Sequence, residues 1–247
     1  MPSQHMPSQH MPSQHALIVG GSSGIGLATA RQLHAADLKV TITGRSTARL
    51  EAARKSVPGV EAVVMDATAT DTLKDALARI GPIDHLVLAL GSGKGFGPFA
   101  AVSVADVRKG FEEKVYPHFA VAQAALPHLG KGGSITFIAA VSAHAAMPGT
   151  AGIGAANAAV AMLVPILAAE LRPLRVNGVS PGVIDTPWWD FLPADQRQAV
   201  FAEYAAKSPV GRVGKPEDIA EVVEFLVSNT FMTGQVIVCD GGLRLVA

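Results

Sequence analysis

Three features of the sequence predict an α/β fold: a doubly wound parallel sheet of about seven strands with helices on both faces, in a single domain. Short β-rich runs alternate with longer helical ones from Ala16 onward. The strand runs are almost continuously apolar, as strands buried on both faces must be. A glycine turn sits where the first strand gives way to the first helix. Such alternation implies right-handed strand–helix–strand crossovers, and no composition break suggests a second domain. Ligands in these sheets bind beyond the carboxyl ends of the strands, where strand order reverses. The residues just after each strand are therefore where function is sought.

The elements follow in order. "ALIVG" reads as the first strand and "GIGLATARQLHAA" as the helix after it. "KVTITG" is a second strand, and Ser46 is the expected N-cap of the helix "STARLEAARKS". "VEAVVMD" is a third strand, "ATDTLKDALARI" a helix and "IDHLVLALG" a fourth strand. One long helix is expected from about Ala105 to Leu129. "GSITFIAA" is a fifth strand, followed by the helix that carries Asn157. "LRVNGVS" is a sixth strand, and "GQVIVCDG" is a seventh after the helix "PEDIAEVVEFLVS".

Composition narrows the function. Hydrophobic residues are 49% and charged residues 16%, enough for a large core and against disorder. Lys+Arg and Asp+Glu are both 20, with no long run of one sign, so nucleic acid and membrane surfaces are not expected partners. Zero net charge on an apolar chain favours self-association, as a homodimer or homotetramer. The single cysteine, Cys239, fits a reducing cytoplasm and reads as an inert thiol on a buried strand. The most apolar helix, "AAVAMLVPILAAEL", is taken as too short to span a membrane and as interrupted by Pro165. Residues 1–15 repeat "MPSQH" three times and read as a disordered polar tail. His5, His10 and His15 could hold a metal loosely, but no metal site is expected. The folded domain is taken as 16–247.

The glycine turn "GGSSGIG" places Gly20, Gly24 and Gly26 between strand and helix, with Ser22, Ser23 and Ile25 among them. Such a turn lets backbone N–H groups approach a pyrophosphate, and the helix points its positive end at it. This is a Rossmann-like cofactor signature, stronger for its position than for its glycines alone. About 20 residues on, a site for NAD would carry an acid for the ribose 2′-hydroxyl. Here the second strand ends in Gly44, Arg45 and Ser46. Arginine suits a 2′-phosphate, so NADP(H) is favoured over NAD(H). Asp66, after the third strand, is a candidate adenine contact, or simply an acid at a helix start.

At this point the chain resembles the short-chain dehydrogenase/reductase family, from Ala16 nearly to the C-terminus. "RVNGVSPGVIDTP" is similar to the family segment after the sixth strand, and "PVGRVGKPEDIAEVVEFL" and "FMTGQVIVCDGG" to its last helix and strand. The resemblance implies that Pro181, Gly182, Ile184 and Thr186 approach the nicotinamide and that Gly91, in "LALG", lines the cofactor site.

The catalytic positions depart from that family. Its helical Asn aligns with Lys114, its Ser with Ala140, its Tyr with Ile153 and its Lys with Asn157. Carbonyl reduction needs a hydride on carbon and a proton on oxygen. Isoleucine gives no proton and alanine no hydrogen bond. The two tyrosines, Tyr116 and Tyr204, are expected away from the motif. Lys114 and Asn157 exchange the family's residue types between facing places. Together they could hold the nicotinamide ribose or a substrate oxygen; the bland reading is two unrelated changes, with Lys114 reaching solvent. Ser142 and His144 are further candidate donors. Trp188, Trp189 and Phe191 lie where the family has a lid, which suits an apolar or aromatic small-molecule substrate, or equally packing of the lid itself.

These readings imply an NADP(H)-dependent oxidoreductase acting on a carbonyl or alcohol with a non-standard proton donor. Two alternatives stay open: a non-redox catalyst that binds NADP, such as a cyclase, lyase or dehydratase, and a catalytically silent cofactor-binding scaffold.

Overall fold

The computed structural model describes residues 14–246. Residues 1–13 of the MPSQH repeat, with His5 and His10, therefore lie outside the described residues. Seven strands form one parallel sheet in the order β3-β2-β1-β4-β5-β6-β7. They are β1 (His15–Val19), β2 (Lys39–Gly44), β3 (Glu61–Val64), β4 (Ile83–Leu88), β5 (Leu129–Ile138), β6 (Arg175–Pro181) and β7 (Val236–Cys239).

The apolar strand runs explain the layering, because alternate side chains face opposite sides of a sheet. Ala16 and Ile18 of β1 join one buried cluster, and Leu17 and Val19 join the other. The Ile18 face is covered by α1 (Gly24–Ala35), α2 (Thr47–Ser56) and α8 (Pro216–Ser228) through Leu33, Leu50 and Ile219. The Leu17 face is covered by α3 (Leu73–Ile80), α5 (Val115–Ala125) and α6 (Ala151–Glu170) through Leu77, Val121 and Val160. Arg175 at the start of β6 donates to the Leu226 and Val227 carbonyls (2.6 and 2.8 Å), supplying partners that the end of α8 lacks.

Three expectations are corrected. β1 starts at His15, one residue before the expected run from Ala16, and the His15 ring nitrogens meet Pro82 O and Thr41 Oγ1, both at 2.8 Å. The long helix expected over 105–129 is two helices, α4 (Val104–Glu113) and α5, and Leu129 already belongs to β5. Lys114 marks the break, with φ −119° and ψ −60°. Pro117 explains it, since a proline in a continuous helix would clash with the carbonyl four residues back; the break puts it in the first turn of α5. Conversely, Pro165 does not interrupt α6, which runs 20 residues through it. Pro165 lies on the exposed face, so its missing N–H is not a defect set in the core. By length and composition α6 could cross a membrane, but it packs against α4, α5, β5 and β6.

Cys239 ends β7 half-buried rather than fully buried. Burial raises its thiol pKa, as do Asp218 and Asp240, which keeps it protonated.

Two buried histidines make stability pH-dependent. Burial holds His85 at a pKa of about 4 and His118 at about 3, the latter helped by the neighbouring Lys114 charge. Between about pH 6.5 and 4 the unfolded chain takes up protons that the folded one refuses. Stability is thus full above pH 6.5 and falls through that window, by about 2–4 kcal/mol at pH 5. Urea midpoints should fall between pH 7 and 5, less steeply in His118→Gln; equal midpoints at the two pH values would contradict this.

Candidate active site

Strand order reverses between β1 and β4, and there the backbone of the two strand ends approaches closely. Gly20 follows β1 with φ +84°, and a Cβ on it would stand 2.5 Å from Ala89 O. The gap beyond these strand ends opens into a cavity of about 420 Å³. Gly20, Ser23, Gly24, Ile25 and Gly26 line it on one side, and Gly91, Pro181, Gly182, Ile184 and Thr186 on another.

The glycine turn fits an anion. Ser23 is the N-cap of α1 but makes no side-chain cap bond, and the first turn holds no acid. The leading N–H groups of α1 are thus left without the cap that usually satisfies one of them. A Cβ on Gly26 would strike the Gly20 carbonyl, so the turn closes only with glycine there.

The residues expected at the ribose follow β2 and β3. Arg45 is exposed at the rim and near enough to Asp66 to act on its charge. Burial raises the Asp66 pKa, but hydrogen bonds from Thr68 N and Oγ1 (2.9 and 2.8 Å) and the Arg45 charge leave it lowered overall. Ser46 caps α2 as expected, accepting from Arg49 N at 3.3 Å. Ser22 packs beside Gly44, whose Cβ would stand 3.2 Å from Ser22 Oγ. Ser22, Arg45, Ser46 and Asp66 lie outside the cavity lining, whereas Arg49, one turn into α2, is in it. The sequence reading missed Arg49; a second arginine four residues after the first was the available signal.

Lys114, Ser142 and Asn157 all line the cavity, as does Ile153. Lys114 and Asn157 do not act as a joined pair. The Lys114 ammonium donates to Leu90 O (3.2 Å), Ile138 O (3.2 Å) and Ala139 O (3.4 Å). Its three donors are thereby committed. Lys114 is 5% exposed, so it does not reach solvent, and burial lowers its pKa to about 8. It ties the ends of β4 and β5 together beneath the cavity.

Asn157 is 1% exposed. Its amide donates to Ile153 O (3.0 Å) and Ser142 Oγ (3.1 Å). A carbonyl can only accept, so this fixes which end of the amide points where. Asn157 Oδ1 is left buried without a partner among the described residues. Ser142 accepts from Asn157 and keeps its own O–H to give. His144 is the candidate the fold sends elsewhere: it is exposed, lies outside the lining, and its Nε2 meets Ser180 Oγ at 3.0 Å.

A lid follows β6. Trp189 Nε1 donates to Ile184 O (3.0 Å), and its ring packs edge-on to Phe201 of α7 (Ala194–Lys207) at 5.6 Å. Trp188 lies against Gly91 and Gly93 across the cavity mouth. Tyr204 of α7 lines the cavity too, which corrects the expectation that both tyrosines lie away from the site. Sequence distance hid it, because α7 folds back over the strand ends.

Comparison with known proteins agrees with this architecture. A family described as enoyl-(acyl carrier protein) reductase matches residues 19–244. A cis-4-hydroxycyclohexanecarboxylate dehydrogenase of Sinomonas cyclohexanicum is 32% identical, over 94% of this chain and 96% of that protein. A 3-oxoacyl-(acyl carrier protein) reductase of Thermotoga maritima is also 32% identical, over 92% and 96%. A small-chain dehydrogenase solved in complex with NADPH superposes with a TM-score of 0.81 at 30% identity, over 94% of this chain and 99% of that one. A short-chain dehydrogenase/reductase from Brucella melitensis gives a TM-score of 0.85 at 30% identity, over 93% and 96%.

The Ser142–Asn157 contact depends on Gly154. A Cβ there would stand 2.8 Å from Ser142 O, which lies directly on α6. Gly154→Ala should displace the Ser142 turn and cost about 1–3 kcal/mol, read from urea unfolding. Gly132→Ala, where nothing lies within 4 Å, should stay within about 0.5 kcal/mol of wild type. Equal stability of the two variants would refute the close packing of this turn.

Proposed function

Because the chain belongs to the short-chain dehydrogenase/reductase family, we propose that it is an NADP(H)-dependent oxidoreductase. Its substrate is a small carbonyl compound or alcohol, apolar or aromatic in character. One observation carries this reading: a single cavity joins the glycine turn and its free helix N-terminus to the Ser142–Asn157 pair.

When bound, the cofactor supplies a hydride to the substrate carbonyl carbon. The chain does the rest. The leading N–H groups of α1 hold the pyrophosphate. Arg45, with Ser46 and Arg49 beside it, holds the 2′-phosphate, and Asp66 flanks the adenine. Gly91, Pro181, Gly182, Ile184 and Thr186 border the nicotinamide end. Asn157 Oδ1, buried without a partner, accepts a hydroxyl hydrogen of the nicotinamide ribose. An orphaned buried acceptor costs about 1–3 kcal/mol, which such a contact would relieve. Ser142 turns its free O–H to the substrate oxygen. Lys114 is a positioning residue that fixes the cavity floor. Trp188, Ile153 and Met147 give the substrate an apolar wall.

Apolar side chains exposed on α5 and α6, such as Phe119 (49% exposed) and Met162 (58% exposed), support self-association as a homodimer or homotetramer. A single cysteine accords with a reducing, cytoplasmic setting. A second reading draws on Ile153 and Ala140, which leave the usual donor positions empty of chemistry: a non-redox catalyst or a silent cofactor-binding scaffold.

Titration of NADPH and NADH by their fluorescence tests the proposal. NADPH should bind more tightly than NADH. Arg45→Ala should lose about ten- to a hundredfold in NADPH affinity, the worth of one charged contact, with NADH little changed. Equal affinities in wild type would contradict the 2′-phosphate site. Product formed without NADPH consumption would favour the non-redox reading.

A further inference from the structure

The cavity has no acid at Ile153 or Ala140, so the proton must come from another element. Its hydroxyls sort by the bonds they already make. Ser92 donates to Glu113 (2.8 Å) and Thr150 to Met147 O (2.7 Å), so neither has a free hydrogen. Ser23 stands at the start of α1 without a side-chain cap bond, and Thr186 stands at the nicotinamide end; like Ser142, both are aliphatic hydroxyls. Tyr204 is the phenol of the lining. An aliphatic hydroxyl polarises a carbonyl but releases its proton poorly, whereas a phenol is a working acid.

The position of Tyr204 on α7 is set by its neighbours. Phe201 and Tyr204 are three residues apart and share a helix face. Phe201 packs on Trp189, itself part of the cavity wall, and Trp189 is tied to Ile184 O. That face of α7 therefore looks into the cavity, and Tyr204, half-buried, is on it. One turn on, Lys207 Nζ stands 6.0 Å from the Tyr204 ring centroid, held along the helix by Glu203 at 2.6 Å.

We propose that Tyr204 on the lid helix is the proton donor, doing from α7 what Ile153 cannot do from α6. This rests on the oxidoreductase reading above. The step balances. The carbonyl carbon gains the hydride that NADPH supplies, and the C=O π pair moves to oxygen. The Tyr204 O–H bond breaks as its proton bonds to that oxygen. Alcohol, NADP⁺ and tyrosinate remain, and the tyrosinate regains a proton from water. Ser142 polarises the same oxygen from the opposite wall.

The chain has two tyrosines, so protein labelled at the tyrosine ring ζ-carbon gives two carbon signals, assigned by Tyr116→Phe. Adding NADP⁺ with a cyclic or aryl alcohol should move the Tyr204 signal and leave that of Tyr116, which lies 58% exposed on α5. In parallel, NADPH oxidation is followed with aldehydes and with alkyl, cyclic and aryl ketones. Tyr204→Phe should keep NADPH affinity and lose about 10²–10⁴-fold in turnover, while Tyr116→Phe keeps both. A Tyr204 signal that stays still while NADP⁺ binds overturns the assignment, and so does a Tyr204→Phe variant at the wild-type rate. NADPH bound but oxidised by none of the carbonyls also contradicts a working donor at Tyr204. Wild type that binds no NADPH defeats the oxidoreductase reading first and takes this proposal with it, which separates the two failures.

Discussion

The close approach of Gly20 to the Ala89 carbonyl organises everything else. A parallel sheet wound in both directions from its first strand must leave a crevice where β1 and β4 part company. Here the crevice is narrow because a residue without a side chain turns away from β1 directly against the end of β4. That contact aims the start of α1 into the gap and leaves its N–H groups facing outward. The cofactor wall, the floor under it and the lid above are all defined relative to this one backbone contact.

The floor shows how a polar group can be structural in a position that invites a catalytic reading. Lys114 is buried, its charge partly suppressed, and all three of its donors go to carbonyls of the two central strands. It can reach them because the helix is broken at Lys114 ahead of Pro117. Asn157 is the converse case. It is equally buried, yet one end of its amide has no partner among the described residues. Asn157 lines the cavity, and this unpaired acceptor is what supports the cofactor contact proposed for it.

Much of this was legible in the sequence, for physical reasons that differ by element. The strands and their order of appearance follow from apolar runs that only a doubly covered sheet accommodates, and the glycine turn from steric demands no other residue meets. Ser142 is legible from its place just after the fifth strand, a local quantity, and Lys114 and Asn157 from their alignment with the Asn and Lys of the resembled family. The failures came where distant parts of the chain meet. Hydrophobic periodicity runs unbroken through Lys114, so the break there could be read only from Pro117. Pro165, the same residue type, breaks nothing because it faces outward. His144 follows a strand as a catalytic group should, but its turn directs it to Ser180. Tyr204 is far from the motif in sequence and reaches the cavity only because an aromatic cluster pins α7 back over it.

The central claim is that this chain moves a hydride from a nicotinamide cofactor although Ile153 stands where a tyrosine would serve. The most direct test is isotope transfer: incubate the protein with NADPH carrying deuterium at both C4 positions and a ketone substrate, then weigh the alcohol by mass spectrometry. The account predicts one deuterium on the carbinol carbon. Product that carries no deuterium, formed by a protein that binds the cofactor, would contradict it and leave a non-redox catalyst on a cofactor-binding fold.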